Sequence, residues 1–207
     1  MPMKTFCLFL LALTCALLPA CGESECTPES CTDGCCSATN SCIRDRGDAL
    51  CGPNGGICES CPEGNVCRLD TKACFAGVMR TRVQPRRAVI ADVDPDSGED
   101  WDSDGSPPDV VVEMRCPSAP ERSRTAEDES WEPEWRTGSC EVITSNLLEH
   151  PIEISIFDND DFALDDEFGT IHYQVTRADL NRGRLELAIP DEVLTLVLDL
   201  SHAYSAQ

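Results

Sequence analysis

The sequence predicts an all-β chain, in which an eight-stranded antiparallel β-sandwich follows a small disulfide-rich module. Two observations support this prediction. Ten cysteines fall between Cys26 and Cys74, and after about Met79 the chain changes to short β-type runs separated by acidic loops. A cysteine-dense segment with so few large apolar residues cannot be stabilised by burial alone, so its stability must come from disulfides.

Alternating or β-branched apolar residues predict strands at 88–93, 109–115, 139–143, 152–157, 170–175, 184–188 and 193–200. The clearest case is Ile152-Glu153-Ile154-Ser155-Ile156, which alternates as a strand with one buried face should. Thr176 is a candidate N-cap for one short helical turn at 177–181. Many short strands joined by loops favour an antiparallel sandwich.

The N-terminus has the features of a secretory signal. An apolar run at 6–18 follows Lys4, is too short to span a bilayer, and ends in Pro19-Ala20. Leu18-Pro19-Ala20-Cys21 resembles a bacterial lipobox, which implies removal of residues 1–20 and acylation of Cys21. The resemblance implies a bacterial cell-envelope protein, lipid-anchored to a membrane and facing the periplasm or the cell surface. The alternative is an ordinary signal, with Cys21 in a disulfide.

Cysteine arithmetic agrees with a lipidated Cys21. Of 15 cysteines, two lie in the signal and one takes the lipid, which leaves twelve. We expect five bridges in a module at 26–75, after a linker at 21–25, and one downstream bridge between Cys116 and Cys140. Spacing does not give the connectivity, and a zinc site on Cys58 and Cys61 is the competing interpretation of the module. The module is interpreted as a spacer, or as a knob that binds protein or glycan.

Composition limits the possible partners. The chain has 16 Lys and Arg against 38 Asp and Glu, a formal charge of −22. Phosphate backbones and anionic lipids are repelled by such a chain unless cations intervene, so nucleic acid is excluded as a partner.

Two acidic loops carry the candidate metal ligands. Asp100, Asp102, Asp104 and Gly105 resemble the start of an EF-hand loop, but its twelfth position is Val111 rather than a glutamate, and two prolines interrupt it. The second loop places Asp158, Asp160 and Asp166 directly after a predicted strand. Calcium prefers such carboxylate-bearing loops, so the first loop is interpreted as one half of a split site.

The second loop, a strand followed by D-x-D-x5-D and Phe168-Gly169, is similar to the third calcium loop of the C2 domain. Pro108-Asp109-Val110-Val111-Val112 and Trp131-Glu132-Pro133-Glu134-Trp135 resemble further elements of that family, and the resemblance covers about 84–200. It implies a C2-like sandwich at 76–203, calcium as cofactor, and possible phospholipid contact. The implied calcium ligands are Asp102, Asp109, Asp158, Asp160 and Asp166, and the implied membrane-tip residues are Trp101, Phe162 and Leu164.

The match has departures. The family spaces its two first-loop aspartates six positions apart, which from Asp109 falls on Ser103. Asp102 is therefore the favoured partner of Asp109, with Asp104 as the alternative. Glu132 stands where the family often has asparagine.

No catalytic motif is present, and His150, His172 and His202 belong to no nucleophile or metal pattern, which predicts a protein that is not an enzyme. The function predicted is a membrane-anchored lipoprotein with a C2-like domain that binds calcium and either phospholipid or a protein partner. The alternative is a calcium-stabilised surface adhesion or carbohydrate-binding protein, in which Trp131 and Trp135 would be candidates for a sugar surface.

Overall fold

The computed structural model describes residues 25–95, 97–98, 100–101, 105–159 and 166–206. The predicted signal segment and Cys21 lie outside the described residues. Within the described ranges, no helix combines the length and apolar character needed to cross a membrane.

The cysteine module consists of two small hairpins closed by disulfides. Strand β1 (Cys35–Cys36) pairs with β2 (Cys42–Ile43), and β3 (Asn65–Cys67) pairs with β4 (Cys74–Ala76). Five bridges use all ten cysteines: Cys26–Cys36, Cys31–Cys42, Cys35–Cys58, Cys51–Cys67 and Cys61–Cys74. Cys58 and Cys61 belong to different disulfides, so the zinc interpretation of this pair is wrong.

A buried arginine organises the module between its bridges. Arg46 is 6% exposed, and its guanidinium donates to the carbonyl oxygens of Gly52 at 2.9 Å and Asp33 at 3.0 Å. Burial lowers the pKa of Arg46, and the negative charge of Asp33 partly opposes that shift. Because two separate loops are held by one side chain, Arg46 acts alongside the disulfides as a polar cross-link.

The remaining elements form two facing antiparallel sheets. They are, in chain order, β5 (Val78–Ile90), β6 (Asp109–Arg115), β7 (Ser123–Arg124), β8 (Asp128–Glu129), β9 (Cys140–Ile143), α1 (Thr144–Glu149), β10 (Ile152–Asp158), β11 (Asp166–Tyr173), α2 (Arg177–Arg182), β12 (Arg184–Ile189) and β13 (Val193–Ser205). The first sheet has the order β12-β13-β5-β9, and the second has the order β11-β10-β6, with both β7 and β8 paired to β6. Since β7 and β8 together form one interrupted edge strand, the sandwich has the eight strands predicted.

Alternation explains how the sheets face each other. Ile152, Ile154 and Ile156 of β10 are all fully buried, as their period of two predicts. They pack in one core with Phe168 and with Leu196 of the first sheet. The all-β sandwich predicted from the sequence is confirmed.

Strand β5 differs from its prediction. It begins at Val78, ten residues before the predicted start at residue 88, because Met79, Thr81 and Val83 are buried between outward-facing arginines. Its partner β13 extends to Ser205 instead of residue 200, and the two strands pair from Val78↔Ser205 to Ile90↔Val193.

Two short helices lie at one end of the sandwich. Helix α2 was predicted, and Thr176 caps it in a reciprocal capping box with Asp179, while Gly183 ends it with a φ of 71°. Helix α1 was not predicted. It carries the fully buried Leu147, and no side chain caps its start after Ile143.

The module packs against this same end of the sandwich. The Tyr204 hydroxyl accepts a hydrogen bond from the Leu69 backbone N–H at 2.7 Å, and the Arg68 guanidinium lies 4.7 Å from the Tyr204 ring centroid. The Phe75 ring meets Tyr204 edge to face at 6.2 Å. Tyr204 thus joins the last strand to the module, although the two are far apart in sequence.

The capping box of α2 should make stability depend on acid pH. Burial acts to raise the pKa of Asp179, but hydrogen bonds from Thr176, with further help from Tyr173 and Arg182, outweigh it and leave the pKa below its usual value. The stabilisation is therefore complete above the usual aspartate pKa of about 3.9 and is lost as pH falls through the lowered value.

We expect Thr176→Ala to lower the free energy of unfolding by about 1 kcal/mol at neutral pH, and we expect this loss to shrink in acid. Urea denaturation from neutral pH to below about pH 3 measures both effects. A loss that stays constant over the whole pH range would contradict the role assigned to the Asp179 carboxylate.

The downstream disulfide joins the two sheets. Cys116 follows β6 of the second sheet and pairs with Cys140 at the start of β9 in the first sheet, with a sequence separation of 24. Replacing both by alanine should lower the free energy of unfolding by about 3 kcal/mol, since a loop of this size is then no longer restrained in the unfolded chain. Guanidinium denaturation of the double variant tests this expectation, and an unchanged midpoint would contradict it.

Candidate functional site

The strand ends that flank the predicted metal loops lie at the end of the sandwich opposite the module. We call this the acidic end: there β5 ends at Ile90, β6 begins at Asp109, β10 ends at Asp158 and β11 begins at Asp166. Antiparallel register brings these points together, because Asp158 pairs with Val110 on one side and with Asp166 on the other. Strand β6, which follows the first acidic loop, therefore lies in one sheet with β10 and β11, which flank the second.

Asp109 and Asp158 are in direct contact. The Asp109 backbone N–H donates to Asp158 Oδ1 at 2.7 Å, although the residues are 49 positions apart. The Asp109 carbonyl in turn accepts from the Asn159 backbone N–H at 3.0 Å. Asp158 is only 1% exposed, so a carboxylate is held at a fixed orientation inside the sheet end.

The structure describes the other predicted ligands only in part. The backbone of Asp166 lies in β11 directly opposite Asp158, but its side chain is outside the described residues. Asp102, Asp104 and Asp160 are also outside the described residues. The full ligand set thus stays a prediction, with Asp109 and Asp158 adjacent and the backbone of Asp166 in register.

Oxygen chemistry at this end fits a hard cation. A buried carboxylate needs a compensating charge or donors, and calcium takes six to eight oxygen ligands, mostly from carboxylates and carbonyls. Across the described part of the chain, the clusters of three potential metal-ligand atoms are Cys26, Cys31 and Cys36, and Cys51, Cys61 and Cys74. Their sulfur atoms are consumed in disulfides, so these clusters offer no thiolate to a metal.

A β-bulge shapes the wall behind the aspartates. Phe157 pairs with Glu167 and Ile156 with Gly169, which leaves Phe168 as the extra residue of β11. Gly169 has a φ of 135°, which a residue with a side chain rarely adopts. The bulge turns Phe168 completely into the core, so the Phe-Gly pair that follows the second acidic loop has a packing role.

Trp101 rests on this phenylalanine. The two rings meet edge to face with centroids 4.4 Å apart, and Trp101 Nε1 donates to the Ala91 carbonyl at 2.9 Å. The indole is half-buried and joins the core from outside. These contacts give Trp101 a packing role. Its part in a membrane tip stays a prediction. The other two tip residues, Phe162 and Leu164, lie outside the described residues.

Two apolar residues at the acidic end were missed by sequence reasoning. Val93 is 42% exposed, just beyond the end of β5, and Leu194 is 56% exposed near the start of β13. Leu194 is the extra residue at a register shift of β13, between Val193 opposite Ile90 and Thr195 opposite Val89, so the alternation of the strand gives no signal for it. Val93 follows the strand, so no period identifies it.

Trp135, His172 and His202 lie within the β-sandwich. Trp135 is 3% exposed, and its backbone N–H donates to the Arg86 carbonyl, so this segment extends the edge of the first sheet beside β5. His172 lies on β11 opposite Glu153, and His202 Nδ1 and Thr81 Oγ1 are 3.0 Å apart.

Comparison with known families gives one match. Residues 90–188 match the model of the C2 domain family. No curated protein matches the chain.

Three solved structures are similar to part of this chain. The first C2 domain, domain A, of plant extended synaptotagmin 1 is 15% identical with a TM-score of 0.43, and the match covers 64% of this chain and 100% of that one. Human GIVD cytosolic phospholipase A2 in complex with a fluorophosphonate inhibitor and terbium chloride is 18% identical with a TM-score of 0.44, covering 62% of this chain and 18% of that one. The calcium-bound pair of C2 domains, A and B, from extended synaptotagmin 2 is 19% identical with a TM-score of 0.40, covering 60% and 46%. The chain therefore spans less than a fifth of the phospholipase and less than half of the extended synaptotagmin 2 chain.

The packing of Trp101 gives a test of its role. Trp101→Ala should lower the free energy of unfolding by about 2 kcal/mol, because it uncovers Phe168, whereas Trp101→Phe should lose only about 1 kcal/mol with the indole hydrogen bond. Urea denaturation measures both changes. A Trp101→Ala variant of unchanged stability that binds anionic vesicles less well would instead support the membrane tip.

Proposed function

Because residues 90–188 of this chain match the model of the C2 domain family, we propose that the protein is a membrane-anchored lipoprotein whose sandwich binds calcium at the acidic end and, with calcium, phospholipid. Calcium and phospholipid binding are general properties of the C2 family. The anchor, the ligand residues and the lipid partner are what the proposal adds.

The observation that carries the proposal is the contact between Asp109 and Asp158. A buried carboxylate, oriented by a backbone N–H from a strand 49 positions away, lies where β6, β10 and β11 meet. Hydrogen bonds that fix a carboxylate in this way are typical of the support around metal ligands. The interaction also ties the first acidic loop to the second.

The residues that would hold calcium are Asp102 or Asp104, Asp109, Asp158, Asp160 and Asp166. Calcium would supply positive charge among carboxylates that otherwise repel one another, and its binding would order the two loops. Asp158 would act as the rigid member of the set, because its orientation is set by the sheet.

Apolar side chains beside the acidic end would contact lipid. Phe162 and Leu164 are the tip residues proposed from the sequence, and the exposure of Val93 and Leu194 supports a broader apolar rim. The burial of Trp135 in the core counts against a carbohydrate surface built on that aromatic pair.

The rest of the proposal concerns location and chemistry. Acylation of Cys21 would anchor the chain in a bacterial cell envelope, with the module next to the anchor. We propose that the protein acts by binding and not by catalysis.

Titration calorimetry with calcium tests the site. Asp158→Asn keeps the oxygen that accepts the Asp109 N–H but removes the charge, so calcium affinity should fall roughly tenfold or more. The matched control is Asp45→Asn, an exposed aspartate of the module, which should leave the affinity unchanged.

Sedimentation with vesicles of phosphatidylserine and phosphatidylcholine should follow the same pattern in the presence of calcium. Equal calcium affinity in the Asp158→Asn variant and the wild type would remove Asp158 from the site. A wild-type chain that gives no heat with millimolar calcium would contradict the metal proposal altogether.

A further inference from the structure

A cavity lies between the cysteine module and the sandwich, at the end opposite the acidic end. Its volume is about 90 Å³, and its walls come from the module, from the start of β5 and from both helices. The apolar side chains that line it are Val66, Leu69, Val78, Met79, Leu148 and Leu180. Protein interiors are normally close-packed, so an open cavity with apolar walls is a place where a ligand can add contacts.

Hydrogen bonds across the junction hold the walls of this cavity together. The Leu69 backbone N–H donates to the Tyr204 hydroxyl at 2.7 Å, which fixes the module against the last strand. On the opposite wall, Asn181 Nδ2 donates to the Arg177 carbonyl of its own helix at 2.9 Å and to the Arg46 carbonyl of the module at 3.4 Å. The cavity is therefore a built feature of the contact between module and sandwich.

Two opposite charges stand at the rim of the cavity. Arg177 Nη2 and Asp48 Oδ2 are 3.9 Å apart, which is too long for a hydrogen bond. Among the described residues, the Arg177 guanidinium makes no hydrogen bond, so its donors are available to a ligand. Asp48 Oδ1 accepts from the Cys67 backbone N–H at 2.8 Å, which orients the carboxylate with Oδ2 toward the arginine. Both side chains are about half exposed, so a ligand can reach them from solvent.

A glycine of the module positions the guanidinium. Gly47 is buried, and a methyl group added to it would stand 2.6 Å from Arg177 Nη1. The guanidinium therefore packs directly on the backbone of the module, an approach that a residue without a side chain permits. This packing holds the positive charge at the rim, beside the apolar walls.

We propose that this cavity binds a free α-amino acid with a branched aliphatic side chain, such as leucine. The ligand carboxylate takes paired hydrogen bonds from the Arg177 guanidinium, and the ligand ammonium donates to Asp48 Oδ2. The aliphatic side chain fills the space between the module and the helices. The ligand thus bridges two charges that face each other across 3.9 Å without a hydrogen bond.

The size of the cavity selects the side chain of the ligand. A dry apolar cavity of about 150 Å³ holds one benzene ring, so in proportion about 90 Å³ accommodates a group of about four carbons. The side chains of leucine and isoleucine match that size. Alanine would leave most of the cavity empty, and an aromatic side chain would not fit without displacing a wall.

The two charges at the rim favour an amino acid over other amphipathic ligands. A fatty acid would bring its carboxylate against Asp48 with no positive group to balance the repulsion. The end of a peptide carries either the ammonium or the carboxylate, so one of the two rim charges would lose water without gaining a partner, which is costly. A zwitterion satisfies Arg177 and Asp48 together, and this match is the source of specificity.

The cavity uses no residue of the acidic end, so leucine binding and calcium binding are independent proposals. A ligand that contacts the folded junction and not the unfolded chain stabilises the fold in proportion to the logarithm of its concentration. Leucine should therefore raise the melting temperature of the protein.

Titration calorimetry and thermal unfolding with L-leucine test the site. The protein is the full chain with Cys21→Ser, so that no acyl chain contributes. We expect heat of binding and a melting temperature that rises with leucine, whereas alanine and N-acetyl-leucine at the same concentration should have no effect. Arg177→Gln removes the guanidinium, and Asp48→Asn removes the charge but keeps the oxygen that accepts the Cys67 N–H. Each should weaken leucine binding roughly tenfold or more, the effect of one lost charge-assisted hydrogen bond.

A second set of variants separates the cavity from its rim and from the rest of the surface. Leu148→Phe narrows the cavity and leaves both rim charges in place, so it should abolish leucine binding. The matched control is Arg44→Gln, which removes an exposed arginine of the module that pairs with Asp33 and should leave leucine binding unchanged. Asp158→Asn should also bind leucine normally, which distinguishes this site from the calcium site.

Three results would overturn the proposal. The first is a parent chain that gives neither heat nor a thermal shift with millimolar leucine. The second is equal binding of leucine and N-acetyl-leucine, which would remove the role of Asp48. The third is undiminished leucine binding by both Arg177→Gln and Asp48→Asn, which would place the ligand elsewhere.

Discussion

The pairing of β5 with β13 is the interaction on which the rest of the molecule depends. It runs from Val78↔Ser205 beside the module to Ile90↔Val193 at the acidic end. Its inner side supplies core residues such as Val83 and Leu198, and its outer side presents the arginines. Because the module lies at one end of the pair and the acidic loops follow from the other, its register decides where these two parts lie relative to each other.

At the acidic end, the second sheet brings together residues that are far apart in sequence. Strands β6, β10 and β11 run antiparallel, so the start of one strand lies beside the end of the next. Asp109 and Asp158 meet for that reason, and the hydrogen bond between them closes a long segment of chain. An ion held there would act as a further cross-link between the same strands, so the energetics of the metal and of the sheet would be coupled.

Some of this architecture follows from local sequence and some does not. Strand β6 has the predicted bounds, because an apolar run is flanked by polar residues at both ends. The early start of β5 was missed because arginines occupy its outer positions and conceal the alternation of Met79, Thr81 and Val83. Helix α1 was missed because no capping side chain marks its start; it is fixed by the burial of Leu147. Cysteine pairing was open, since spacing along a chain does not specify distance in space.

At the candidate site, the family resemblance indicated Asp109, and the acidic loop after a strand indicated Asp158. The structure places the two residues side by side, and the ligand set stays a prediction. Leu194 was missed because it is the extra residue at a register shift between β13 and β5, where the alternation of the strand is broken. Arg86 stands at a second register shift of the same pair, opposite no residue of β13. Tertiary packing thus determines the surfaces that a single-strand pattern leaves undetermined.

The opposite placement of the module and the acidic end has a mechanical consequence. The module leads directly into the start of β5, and the start of β13 lies at the far end of the sandwich. A pull on the module against the turn before β13 would slide the two strands along each other. Interstrand hydrogen bonds lie across that direction, so they would bear the load together in shear instead of peeling apart one at a time. Resistance of the sandwich to tension should therefore depend on the direction of the force.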